Sequence, residues 1–215
     1  MKDIEYEEIN ERAFDFLAVR YAEKENELYH HNSLIERFSQ YLQTNFNNPS
    51  ILEIGPGSGF MLNHFSEKRF KTTAIDISSK IIEISRRKFS HINYVHSDFL
   101  RYNFSNEKFS GIFANSVLHL FQREKIEMAF DKIYTILEDS GCFYFSIPLF
   151  DEFKEEVIKR GAKEDSVLEY RTRYTKEELT NILSDSRFNL IEESETRFID
   201  SQGKTLSKSN GLLTK

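Results

Sequence analysis

The sequence predicts a doubly wound α/β domain with a mostly parallel sheet of seven strands and a helical cover at its N-terminus. Three observations carry this expectation. From residue 50 onward, short apolar runs alternate with helix-like segments, the pattern of βαβ units. The first run, Ile51–Ile54, passes directly into three alternate glycines ahead of a helical pattern. Acidic residues recur where the apolar runs stop. At 215 residues the chain has the length of one domain that buries a full sheet between two helical layers.

Taken in order, residues 3–28 are charged, with a thin apolar stripe at Phe14, Leu17, Tyr21 and Leu28. A stripe that sparse predicts a covering helix rather than a central one. Ser33-x-x-Glu36 has capping-box form, and Leu34, Ile35, Phe38, Tyr41 and Leu42 recur at helical spacing until Asn47-Asn48-Pro49 ends the run. This second helix is expected to dock on the sheet. The chain thus divides into a helical cover over 1–48 and a core over 49–215, within a single domain. Strands are expected at 50–54, 71–76, 91–95, 109–114, 142–147 and 187–193, with a last one near 208–213. Met61, Leu62 and Phe65, then Ile81 and Ile82, mark helix faces between them. Ile126, Ala129, Phe130, Ile133 and Leu137 form the clearest helical stripe, and Thr175-x-x-Glu178 caps another helix. The stretch 150–174 is polar, charged and weakly periodic. It reads equally well as a lid or substrate-facing insertion and as a solvated connector helix.

Composition narrows the function. A formal charge of −6 disfavours a nonspecific grip on nucleic acid phosphates. The single cysteine, Cys142, precludes an intrachain disulfide, and the opening residues lack the apolar core of a signal peptide. These two features make the cytoplasm the default compartment, and since no stretch approaches the roughly 20 apolar residues of a membrane span, the protein is expected to be soluble. His30-His31 has no Cys, Asp or Glu at a recognisable ligand spacing, and no metal is expected. With 20 Phe, 10 Tyr and no Trp, the aromatic residues read mainly as core.

The chemistry-bearing segment is Ile51-Leu52-Glu53-Ile54-Gly55-Pro56-Gly57-Ser58-Gly59. Side chains in such a turn would keep a ligand from lying across the strand end and reaching the N–H groups at the helix start, and glycines leave that room. Gly55, Gly57 and Gly59 are followed by Phe60, so the dinucleotide spacing Gly-x-Gly-x-x-Gly is not met, which counts against NAD. Glu53 lies just inside the strand end, where a carboxylate needs a cationic or hydrogen-bonding partner. A positively charged ligand would supply one. Asp76 closes the next run, near the spacing at which an acid meets a ribose; the competing reading is an N-cap for the helix starting near Ser78.

Ile51–Gly59, together with the residues after it, resembles motif I of the class I S-adenosylmethionine-dependent methyltransferases, and the resemblance extends over most of the chain. It implies a Rossmann-like methyltransferase fold and S-adenosyl-L-methionine as cofactor. Glu53 would then hold the amino-acid portion and Asp76 the ribose, with Ile77 beside it. Asp98, in Val95-His96-Ser97-Asp98-Phe99, resembles the motif whose Asp accepts from the adenine amino group, with Phe99 packing beside the ring. Asn115 and Ser116, after the fourth strand, would line the methionine side. Val117-Leu118-His119-Leu120 matches a Leu-x-His pattern of the family at the histidine, which places His119 near the transfer site as the candidate general base; a satisfied structural histidine is the competing reading. Ala18-x-x-Tyr21 resembles the family's N-terminal helix, whose Tyr can close over the cofactor. The chain departs from the family at Leu137–Cys142, where a Pro-Gly-Gly turn is usual. The implied activity is direct in-line methyl transfer to a small molecule. Its alternatives are transfer to protein or RNA, and a non-catalytic cofactor-binding protein. Arg171 and Arg173, flanked by Tyr170 and Tyr174, would suit a planar or carboxylate-bearing acceptor or be solvated surface. No oligomeric state can be read from the sequence.

Overall fold

Ser50–Ile54 (β1), Lys71–Asp76 (β2) and Phe109–Asn115 (β4) are nearly continuous buried runs, as expected of strands covered on both faces, and Asn93–His96 (β3) lies beside them. In the computed structural model, which describes residues 5–23, 33–162, 165–199 and 205–215, β1 pairs in parallel with β2 and β4, and β3 flanks β2. Leu137–Leu149 (β5) continues the parallel set beyond β4. Asn189–Ile199 (β8) and Thr205–Thr214 (β9) close the sheet in antiparallel pairing, giving the order β3-β2-β1-β4-β5-β9-β8. The order reverses between β1 and β4, so the crevice outside their carboxyl ends is the ligand position of such sheets.

Period-2 alternation sends the strand side chains to two cores. Leu52, Ile112, Phe143, Phe145 and Leu213 pack with Ile126, Ala129 and Ile133 of Arg123–Ile136 (α5) and with Leu179 and Ile182 of Lys176–Asp185 (α6). Ile51, Ala74, Phe113, Tyr144 and Leu212 pack with Phe60–Glu67 (α3), Ser79–Lys88 (α4) and Ser33–Asn45 (α2). Phe38 of α2 lies against Phe65, Phe113 and Tyr144, and the last two rings stack 4.5 Å apart. α2 is therefore part of the core layer, whereas Tyr6–Glu23 (α1) lies over the carboxyl rim. The inward stripe of α1 is Tyr6, Asn10, Ala13 and Leu17, with Phe14 and Tyr21 half-buried beside it; Leu28 and His30-His31 lie outside the described residues.

Two expectations are corrected. Leu137 is the first residue of β5 rather than the last of α5. It pairs with Phe109 while Cys142 pairs with Gly111, so residues 138–141 bulge out. Ser140 takes a left-handed conformation there (φ 61°), and a Cβ on Gly141 would lie 2.4 Å from Leu137 Cδ2, so one glycine makes the turn without Pro-Gly-Gly. The stretch 150–174 is no connector helix. It forms a hairpin of Lys154–Ala162 (β6) and Asp165–Arg173 (β7), with Thr172 Oγ1 donating to Phe121 O at 2.8 Å and so tying β7 to the rim. Thr175 Oγ1 then accepts from Glu178 N at 3.1 Å and caps α6 as its capping box requires. Among the described residues no helix is long and apolar enough to cross a membrane.

Candidate active site

The turn after β1 needs its glycines for two different reasons. Gly55, Gly57 and Gly59 have φ of 69°, 53° and 77°, and a Cβ on Gly55 would also lie 2.9 Å from Val117 Cγ2, where the loops after β1 and β4 cross. Gly57 faces the Tyr21 ring, 3.7 Å from its would-be Cβ. Gly59 is the N-cap of α3, and Ser58 between them is buried with its Oγ unpaired. The ring of Tyr21 thus lies over the turn.

Two carboxylates face the space beneath. Glu53 is 3 % exposed, its Oε2 has no hydrogen-bond partner, and burial together with the charge of Asp76 raises its pKa well above the usual carboxylate range. Burial likewise pushes Asp76 up to about 7, against the stabilising N–H groups of Ser78 and Ile77; the Ser78 N–Oδ1 distance is 2.8 Å. Asp76 is not the helix cap. Ser78 caps α4 by accepting from Ile81 N. The Ser78 hydroxyl in turn donates to Asp15 Oδ1 (2.6 Å), which also accepts from Lys80 N (3.0 Å), so α1 is fastened to the start of α4 beside Asp76. The backbone oxygen of Ile77 meets His96 Nε2 at 3.0 Å.

Asp98 stands one strand further along the same rim, since Ser97 N donates to Asp76 O at 2.9 Å. Its Oδ1 accepts from Arg101 N (2.8 Å), and Tyr6, Lys132 and Arg101 feel its charge. The Phe99 ring belongs to the core, 6.0 Å from Phe104 and 6.5 Å from Phe121, which differs from a ring packed on a ligand. Asn115 and Ser116 end β4, opposite Ser146, whose buried Oγ has no partner. Ser116 is left-handed (φ 55°) and its Oγ accepts from Lys208 Nζ at 2.8 Å.

His119 lies in a single 3₁₀ turn, Leu118–Leu120, and its Nδ1 is enclosed without a partner. The expectation of a pKa suited to general base work is corrected. Burial first, then the charges of Lys208, Arg171 and Arg160, push it down to about 3, so the ring is neutral. Asp15, Ser58, Ser146, Arg160, Glu169 and Lys208 join the site without having been anticipated. Glu169 and Arg160 lie across β6 and β7, paired at 3.5 Å, and both act on the Tyr21 hydroxyl. Only Ser58 carried a local signal, its place between the glycines. Among the described residues no three His, Cys, Asp or Glu side chains gather as a metal site.

A sheet with this strand order, a glycine turn at its switch point and acids at the ends of the neighbouring strands defines a methyltransferase-type α/β fold. Residues 51–141 match the family model described as a methyltransferase domain. A putative methyltransferase of Geobacillus sp. (strain WCH70) is 26% identical over 103 residues, 45% of this chain and 41% of that protein. The chain spans about half or less of the curated relatives it matches. Among solved structures, a SAM-dependent methyltransferase from Methanosarcina mazei superposes with a TM-score of 0.71 at 15% identity, covering 86% of this chain and 97% of that one. The 1,6-didemethyltoxoflavin-N1-methyltransferase of Burkholderia thailandensis, solved with 1,6-didemethyltoxoflavin and S-adenosylhomocysteine, superposes with a TM-score of 0.62 at 16% identity, covering 95% and 88%. Residues 51–141 thus match a methyltransferase domain, and the chain shares the fold of the solved S-adenosylmethionine-dependent methyltransferases it resembles.

Proposed function

We propose that the protein is an S-adenosylmethionine-dependent methyltransferase acting on a small molecule by direct in-line transfer. The observation that carries this reading is Glu53 with its buried, unpartnered Oε2 beside Asp76, beneath a glycine turn roofed by Tyr21. A buried acid pair of this kind is costly alone and favourable around a ligand with an ammonium group and two hydroxyls. S-adenosylmethionine has both, and when bound it supplies a methyl group made electrophilic by the sulfonium.

In this reading Glu53 holds the ammonium and Asp76 accepts the ribose hydroxyls while keeping its bond to Ser78 N. Asp98, Ile77 and the backbone at Phe99 frame the base. Gly55, Gly57 and Gly59 keep the turn open, Tyr21 covers it, and Asn115 and Ser116 line the methionine side. His119, neutral, offers its enclosed Nδ1 to the acceptor as a hydrogen-bonding and orienting group. Holding a nucleophile in line can by itself supply about 7–11 kcal/mol, so a strong base is not required. A small acceptor is supported by the cover that α1 and the hairpin form over the rim, and by the small acceptor bound to the Burkholderia neighbour.

Calorimetry with S-adenosylmethionine, S-adenosylhomocysteine and NADH tests the cofactor, with binding of the first two and none of NADH expected. Transfer of labelled methyl into a small-metabolite extract tests the activity. Tight binding with no transfer to any pool would leave a binding protein, and label in RNA or protein alone would replace the small acceptor.

A further inference from the structure

The acceptor end of the cleft is walled by cations drawn from three elements. Lys208 of β9 stands opposite Pro148 of β5 and reaches Ser116 Oγ at 2.8 Å, three residues before His119. Arg171 and Arg173 point from one face of β7 and stack on Phe150 from 5.4 and 5.2 Å. These two and Lys154 share a single carboxylate, Glu156, at 2.7, 2.7 and 3.3 Å. Glu169 also faces Arg160 and Arg171, so Lys154, Arg160, Arg171 and Arg173 stand against the two carboxylates Glu156 and Glu169, leaving positive charge in excess on this face. Arg160, further along the same face, has Glu169 at 3.5 Å. Between these walls His119 keeps an enclosed, unpartnered Nδ1, and every charge that shifts its ring is a cation.

We propose that the methyl acceptor carries a carboxylate or phosphate group, seated between Lys208 and Arg171 beside His119. The inference rests on the methyltransferase reading and adds the acceptor's charge to it. One anion there offsets the repulsion among the cations and gives two charge-assisted hydrogen-bond donors a shared acceptor. A cofactor carboxylate is the other source of the same chemistry. Because Lys208 holds Ser116, which lines the methionine side in that reading, the two sources are separated by filling the cofactor site first.

The test uses the full chain, first shown by calorimetry to bind S-adenosylhomocysteine and then saturated with it. Benzoate and inorganic phosphate are titrated in, with benzamide as the neutral control, while the ring C–H signal of His119 is followed by NMR and assigned with His119→Asn. A saturable shift with benzoate or phosphate and none with benzamide is expected. Lys208→Gln and Arg171→Gln should each weaken it about tenfold or more, and Lys208→Arg should restore it. No saturable shift in the saturated chain, or equal affinity in Lys208→Gln, overturns the proposal; a shift found only in the cofactor-free chain, titrated in parallel, also overturns it and assigns the cations to the cofactor. If S-adenosylhomocysteine itself fails to bind, the parent reading falls at the calorimetry step and this one with it.

Discussion

Asp76→Asn separates what the site contributes to binding from what it costs in stability. Burial raises the Asp76 carboxyl from 3.8 to about 7 in the folded chain. Between those two values the native state holds a proton that the unfolded chain has released, so stability falls as pH rises through this window. Integrated at 1.36 kcal/mol per pH unit, the loss is about 4 kcal/mol at most by pH 8, and relaxation around a buried carboxylate brings it to about 1–4 kcal/mol. Asparagine cannot ionise, and its Oδ1 can still accept from Ser78 N, so the substitution removes the penalty and keeps the turn. Urea unfolding of the cofactor-free chain is expected to show Asp76→Asn more stable than the parent at pH 8, with the difference fading near pH 4. Calorimetry should show the opposite for S-adenosylhomocysteine, about tenfold or more weaker in the variant because two hydroxyls lose a bidentate acceptor. A variant no more stable than the parent at pH 8 would refute the reasoning, since the carboxylate would then be solvated or already neutralised in the free protein.

Phe38→Ala should cost about 3–5 kcal/mol in urea unfolding, because its ring is enclosed by Phe65, Phe113 and Tyr144; a cost below about 1 kcal/mol would make α2 a detachable cover. Asp15→Ala breaks two hydrogen bonds that fasten α1 to α4, with an expected cost of about 1–3 kcal/mol and faster amide exchange in α1; unchanged exchange would show that α1 is held elsewhere. Gly55→Ala meets both a left-handed backbone and Val117 Cγ2 at 2.9 Å, so it should destabilise by about 1–3 kcal/mol, with only the steric part recovered in the Gly55→Ala, Val117→Ala double variant. Full recovery would mean that the φ of 69° carries no strain.

The parts of this molecule that were legible in the sequence are those set by neighbours along the chain. Ile51–Ile54 is a buried strand because it is apolar at every position but Glu53, and the turn after it is open because its glycines take positive φ; both are local properties of a nine-residue string. The carboxyl ends of β2 and β3 could be located the same way, which is why Asp76 and Asp98 stand on one rim. The hairpin escaped because its inward row is mostly charged, with Glu156, Arg160, Glu169, Arg171 and Arg173 around only Ile158 and Val167. Those residues satisfy one another across two strands, so an alternation that is real in space has no apolar signature in the sequence. Phe99 misled for the opposite reason: its position beside Asp98 is local, but the direction of its ring is decided by Phe104 and Phe121, which only the fold brings near.

His119 shows where this distinction matters for function. Its place near the end of β4 was readable from Val117-Leu118-His119-Leu120, but its proton affinity is lowered first by burial under the fold and then by Lys208 of β9, Arg171 of β7 and Arg160 of β6, all remote in sequence. Under the proposed function the cofactor end of the site is built mainly from the turns that follow β1, β2 and β4, which the sheet order itself brings together. In the same reading the acceptor end is formed by the hairpin and the last strand, held in place by bonds such as Thr172 to Phe121 O and Lys208 to Ser116. Under the proposed function, substitutions on the inner face of the hairpin are therefore expected to change acceptor preference while leaving the sheet and the glycine turn intact, and the charge on that face is the first property they alter.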